Sequence, residues 1–232
     1  MGWSLGPSSS LQTRTGCVDS QDGFRGSGKT KPLMVYFAKR TMDIVFSLLA
    51  LVVTFPLILV VVILVRMTST GPGIFRQTRG GLHGRPFLLL KIRTMAVNAD
   101  SQRDALRLQK QDFKPAFKIR EDSRVTPIGR HLRRWSVDEL PQFLNVLRGE
   151  MSLVGPRPHP LDDVRCYQGV EYRRLAVKPG LTGPSQISGR SNLSWEDTVA
   201  LDLEYTENWT LLQDIQILVR TVKVVISGVG SY

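Results

Sequence analysis

From Ile44 to Val65 the chain runs IVFSLLALVVTFPLILVVVILV, 22 residues with no charge and only Ser47 and Thr54 as polar interruptions. A helix of that length reaches about 33 Å, enough for the hydrocarbon core of a bilayer. It is too long for the apolar part of a signal peptide and lacks a small-residue cleavage site, so a retained membrane helix is predicted over residues 33–66. Pro56 lies near the middle of the run, where a missing backbone hydrogen bond and a clash with the preceding turn predict a kink. Thr54 is placed to satisfy a carbonyl freed at the bend. Lys29, Lys31, Lys39 and Arg40 lie on one flank and Arg66, Arg76, Arg79 and Arg85 on the other. This symmetry favours a bent helix that enters and leaves by the cytoplasmic face, while the residues alone leave an ordinary kinked span equally open.

Beyond the helix the period changes. Gly73 to Thr78 and Pro86 to Thr94 are strand-like and flank Arg79-Gly80-Gly81-Leu82-His83-Gly84-Arg85, which predicts a β-hairpin. Residues 96 to 113 read as a helix, polar on one side. Leu140, Phe143, Leu144 and Leu147 recur at helical spacing, as do Leu211, Ile215, Leu218, Val222 and Ile226. Residues 1–32 hold six Gly and six Ser among polar neighbours and read as a flexible tail. The fold class is therefore α+β and mainly helical: a tail, a membrane helix, and a domain over 67–232 with one small hairpin.

Charge narrows the partners. Lys and Arg number 31 against 20 Asp and Glu, a net +11, which predicts attraction to nucleic acid, an acidic membrane or phosphorylated substrates. No nucleic-acid motif is present to support the first. Cys17 and Cys166 form no paired spacing, so neither a disulfide framework nor a zinc site is predicted, and a reducing setting fits. His83, His131 and His159 are equally scattered. Gly23 to Thr30 matches a P-loop pattern, but a Ser-rich run precedes it and Pro32 follows, whereas a working P-loop joins a buried strand to a helix.

The chemistry concentrates in residues 136 to 158, SVDELPQFLNVLRGEMSLVGPRP. Ser136 and Glu139 have capping-box spacing, which predicts a helix start with Asp138 and Glu139 at its positive end, their pKa values lowered. Pro141 fits only in the first turn of such a helix. Arg130, Arg133 and Arg134 precede the acids, and Gly155-Pro156-Arg157-Pro158 follows, where two prolines aim a guanidinium. Helix-start acids alone would mean little. In this company, one carboxylate can attack phosphorus, its neighbour can hold Mg²⁺, and arginines can neutralise phosphoryl oxygens.

Four blocks in order, LLLKIRTM at 88–95, the 136–158 stretch, KPGLTGPSQISGR at 178–190 and NLSWEDTVALDLEYTENWTLLQDIQIL at 192–218, resemble the bacterial sugar transferase family. These are monotopic phosphoglycosyl transferases of bacterial inner membranes, here in the small catalytic-core form. The resemblance runs from about Val35 to Tyr232. It implies a re-entrant helix broken at Pro56 and a catalytic domain on the cytoplasmic face. It further implies transfer of a sugar 1-phosphate, a hexose such as glucose or galactose, from a UDP-sugar to undecaprenyl phosphate through an aspartyl phosphosugar intermediate, at the start of exopolysaccharide or O-antigen assembly. Asp138 matches the nucleophile and Glu139 the Mg²⁺ ligand; Arg133 and Arg157 match phosphate-facing arginines, and Lys91 and Asp202 match further site residues. Pro184-Ser185 and Glu150 depart from the family pattern and blur the sugar, so an N-acetylated aminosugar remains an alternative. Self-association stays open. The rival readings are a membrane-anchored basic binding module, which leaves Asp138, Glu139 and Arg157 unexplained, and a P-loop nucleotidase.

Overall fold

The computed structural model describes residues 31–97, 99, 122–189 and 192–227. The Gly23–Thr30 pattern, nearly all of the tail and most of the helix expected at 96–113 lie outside the described residues. The rest is mainly helical, with two small two-stranded sheets.

Helix α1 spans Leu33–Thr68, 36 residues, and runs on through Pro56. Thr54 donates to Ala50 O at 2.6 Å. This corrects the expected repair at the bend: Pro56 strips the donor from Val52 O, whereas a threonine hydroxyl reaches back one turn from its own position. The buried residues of α1 fall in two pairs, Asp43 with Ser47 and Val61 with Val65. Between them Leu48, Leu49, Val52, Val53, Phe55, Leu57, Leu59 and Val60 are exposed.

Both flanks of α1 dock on the rest of the chain. At the first, Asp43 accepts from Ser152 Oγ at 3.1 Å and Leu153 N at 3.0 Å. Lys39 pairs with Asp214 at 2.5 Å, and Arg40 donates to Val146 O at 2.7 Å and Leu147 O at 2.8 Å. The flanking cations thus act as docking groups, Arg40 on carbonyls at the end of a helix. At the second flank, Val61 and Val65 join Ile92 and Leu132 in an apolar cluster, with Val137 packed against it.

The predicted hairpin forms. Strand β1 (Ile74–Gly80) pairs antiparallel with β2 (Pro86–Ile92), in register from Ile74↔Ile92 to Gly80↔Pro86. The short helix α2 (Pro127–Arg134) has Thr126 as its cap, accepting from Gly129 N at 3.0 Å, and Pro127 in its first turn. Helix α3 (Gln142–Arg148) follows. Asn145 on α3 covers the free edge of β2, accepting from Leu90 N at 3.0 Å and donating to Leu88 O at 2.7 Å. A buried side-chain amide thereby stands in for a third strand.

Strand β3 (Ser152–Val154) pairs parallel with β4 (Gly180–Thr182). Gly155 and Gly180 let these backbones touch, since a Cβ on either would collide with the main chain of the other segment. The remaining helices are α4 (Leu161–Val164), α5 (Pro184–Ser188), α6 (Trp195–Asn208) and α7 (Leu211–Ser227), with a 3₁₀ segment at Gly169–Ala176. Phe87, Leu89, Val146, Met151, Leu153, Val154, Tyr205, Trp209 and Ile217 form the main core. The apolar period of α7 is real, but much of it faces outward: Leu212, Ile215, Val219, Val222 and Ile226 are exposed while Asp214 and Ile217 are buried. Cys166 is disulfide-bonded, where no disulfide was expected from the cysteine spacing.

Candidate active site

The turn that carries the two acids is built by the helix before it. Trp135 N donates to His131 O and Ser136 N to Arg133 O, and Ser136 adopts a left-handed φ of 54°. Ser136 therefore ends α2 as a left-handed exit residue, a place usually taken by Gly or Asn. The expected capping box is not formed: Ser136 makes no side-chain cap, and Val137–Glu139 is a 3₁₀ turn ahead of α3. Held by Val137 in the apolar cluster, the turn buries Asp138 and turns Glu139 toward the hairpin.

Four of the predicted residues converge here. Lys91 on β2 places Nζ 2.8 Å from Glu139 Oε1 and 3.7 Å from Asp138 Oδ2. Arg157, on the loop after β3, places Nη2 2.6 Å from the same Glu139 oxygen. Arg157 also lines a small hollow with Gly80, Gly81, His159 and Arg174. A fifth residue, Arg133, donates from Nε to Thr94 Oγ1 at 2.9 Å; burial works against its charge, and Asp138 and Glu139 oppose this.

Electrostatics separates the acids. Burial pushes the Asp138 carboxyl above the usual aspartate range; Lys91, Arg133 and Arg157 oppose this, and Glu139 adds to it. The expected lowering by a helix dipole is overturned, because α3 starts only at Gln142 and desolvation dominates. Burial also works against a charged Glu139, but Arg157 and Lys91, through charge and hydrogen bonds, hold its carboxyl well below the usual range. One acid is thus firmly ionised, while burial draws the other toward its protonated form against the pull of the cations.

Asp202 stands elsewhere. It is buried against Arg174, whose Nε donates to Oδ2 at 2.9 Å and whose Nη2 pairs with the same oxygen. Arg174 also donates to Tyr167 Oη at 2.7 Å, and its guanidinium lies 5.2 Å from the Trp195 ring centre. Tyr167 in turn meets His159 Nδ1 at 2.8 Å. This network braces the loop that carries Arg157 from behind.

Among the described residues no group of three or more His, Cys, Asp or Glu could cage a metal. Adjacent Asp138 and Glu139, the latter ionised, supply hard oxygen donors of the kind Mg²⁺ accepts when substrate phosphates and water complete its shell. The donor set fits a metal shared with a diphosphate.

The bacterial sugar transferase family model matches residues 34–228. The chain belongs to the bacterial sugar transferase family. It is 39% identical to a UDP-glucose:undecaprenyl-phosphate glucose-1-phosphate transferase of Caulobacter vibrioides, over 98% of this chain and 80% of that protein. It is 42% identical to the galactosyl transferase CpsE of Streptococcus agalactiae, over 84% of this chain and 43% of that protein. It is 41% identical to an undecaprenyl-phosphate galactose phosphotransferase of Salmonella typhimurium, over 84% of this chain and 42% of that protein. The chain thus spans less than half the length of the last two.

For this member of the sugar transferase family, motif reading found the acids and their cations but missed the braces around them. Asp43, Asn145, Arg174 and Asp214 are buried polar residues with partners far off in sequence, and His159 is buried against Tyr167. The one sequence signal was polar residues on otherwise apolar helix faces, such as Asp214 on α7.

Proposed function

We propose that this sugar transferase is a phosphoglycosyl transferase that moves a sugar 1-phosphate from a UDP-sugar to undecaprenyl phosphate, with Asp138 as nucleophile. The observation that carries this is the geometry of the cluster: the buried Asp138 carboxyl lies 3.7 Å from Lys91 Nζ, beside a Glu139 that both Lys91 and Arg157 hold. An Asp138 oxygen attacks the β-phosphorus that bears the sugar, and the bond to the α-phosphate breaks. Nucleoside monophosphate leaves with the bridging oxygen. A phosphate oxygen of the polyprenyl acceptor then attacks the same phosphorus and releases the Asp138 carboxylate, giving a polyprenyl diphosphosugar. Lys91, Arg133 and Arg157 offset the charge on the phosphoryl oxygens. Glu139 would hold Mg²⁺ together with the diphosphate, and the metal, when bound, shields the diphosphate from an anionic attacker.

The acceptor has a lipid tail and a polar head, so the site belongs at a membrane surface. A re-entrant α1 that places domain 67–232 on the cytoplasmic face of the inner membrane is supported by the docking of both flanks on one domain. The exposed apolar middle of α1 then lies in lipid, and the exposed apolar row on α7 suits the interface. Glucose or galactose is the sugar we favour, since relatives carry those names. The test is a screen of nucleotide sugars for nucleoside monophosphate release. Release should continue with polyprenyl phosphate, stop near one equivalent without it, and vanish in Asp138→Asn; an active Asp138→Asn overturns the assignment.

A further inference from the structure

We propose that Arg157 and Lys91 compete with the divalent cation for Glu139 Oε1, so that metal binding releases both side chains to the diphosphate. The inference rests on Glu139 being the metal ligand. Both nitrogens close on a single oxygen, at 2.6 Å from Arg157 and 2.8 Å from Lys91. A Mg–oxygen bond of about 2.0–2.1 Å at Oε1 needs the same lone pairs, and at either carboxylate oxygen a third cation is repelled by the other two.

The surroundings decide which group moves. Glu139 sits in a tight turn fixed by Ser136 on one side and by the Val137 packing on the other. Arg157 is the least enclosed of the three, its side chain 35% exposed, against 17% for Glu139 and 18% for Lys91. A displaced Arg157 therefore turns toward solvent, where incoming phosphates replace the lost carboxylate. Lys91 already lies 3.7 Å from Asp138 Oδ2, so leaving Glu139 shifts it onto the nucleophile. One oxygen thus couples metal binding to the arming of both cations.

The test titrates Mn²⁺ into the full chain in nanodiscs without nucleotide, following loss of the free-Mn²⁺ paramagnetic resonance signal. Arg157→Gln is expected to bind Mn²⁺ at least about tenfold tighter than the parent, the scale of one charge-assisted hydrogen bond. Lys91→Gln should gain in the same direction, Arg157→Lys should return to the parent value, and Glu139→Gln should lose binding. Arg133→Gln is the control for general charge, since its hydrogen bond goes to Thr94 and not to Oε1. Unchanged or weaker binding in both Arg157→Gln and Lys91→Gln overturns the competition, as does an equal gain in Arg133→Gln. Parent-like binding in Glu139→Gln removes instead the metal-ligand reading on which it rests.

Discussion

Replacing Asp202 by Asn separates a structural brace from a substrate contact. The pair it would break is fully enclosed, with Arg174 at 1% and Asp202 at 0% side-chain exposure. Asparagine keeps the size of the side chain but leaves the guanidinium without its counter-charge, a loss of about 3–5 kcal/mol for a buried pair. Tyr167 and the Trp195 ring still face the cation, which favours the lower part of that range. At about 2–4 °C per kcal/mol for a domain of this size, Tm should fall by about 6–20 °C. The assay is thermal unfolding in nanodiscs, alongside transfer at a temperature where the variant remains folded. Arg174→Met combined with Asp202→Leu should recover much of the lost stability, because neither charge is then stranded. A Tm within about 2 °C of the parent with transfer abolished would refute the brace and make Asp202 a substrate contact.

Because burial lifts the Asp138 carboxyl, covalent loading should rise with pH along an acid limb above the ordinary aspartate value of about 3.9. Lys91→Gln removes the cation that most opposes this lift, so the limb in single-turnover loading should move to higher pH; an unmoved limb contradicts the 3.7 Å contact. Asp43→Ala strands Leu153 N and Ser152 Oγ and should cost about 2–4 kcal/mol by denaturant unfolding; a loss below about 0.5 kcal/mol would mean that α1 docks without it. Cysteines placed near residues 32 and 80 should react from the same side of sealed vesicles, and opposite accessibility would mean that α1 crosses.

The hairpin was legible because a Gly-rich turn between two apolar runs admits few other pairings. The acids were legible because two carboxylates followed by a proline-framed arginine form a rare local pattern. Their environment was not. Ser136 and Glu139 have the spacing of a cap, yet the preceding helix takes Ser136 as its exit, and the same four residues satisfy either use. The direction of the Asp138 shift was misread for a related reason: position along a helix can be read from spacing, whereas burial depends on what folds over the residue. Lys39 with Asp214, Asp43 with Ser152 and Arg174 with Asp202 join segments distant in sequence, which periodicity cannot report. Asp202 was matched to the site by its motif, and in the fold its carboxylate pairs with Arg174.

The central claim is that an Asp138 oxygen bonds to phosphorus. Incubating the chain with a UDP-sugar and Mg²⁺ but no lipid acceptor, quenching in acid, and mapping the adduct by peptide mass spectrometry tests this directly. The mass of one sugar phosphate is expected on the peptide bearing Asp138, removed by polyprenyl phosphate and absent from Asp138→Asn. The same adduct on any other residue, or persisting in that variant, would contradict it.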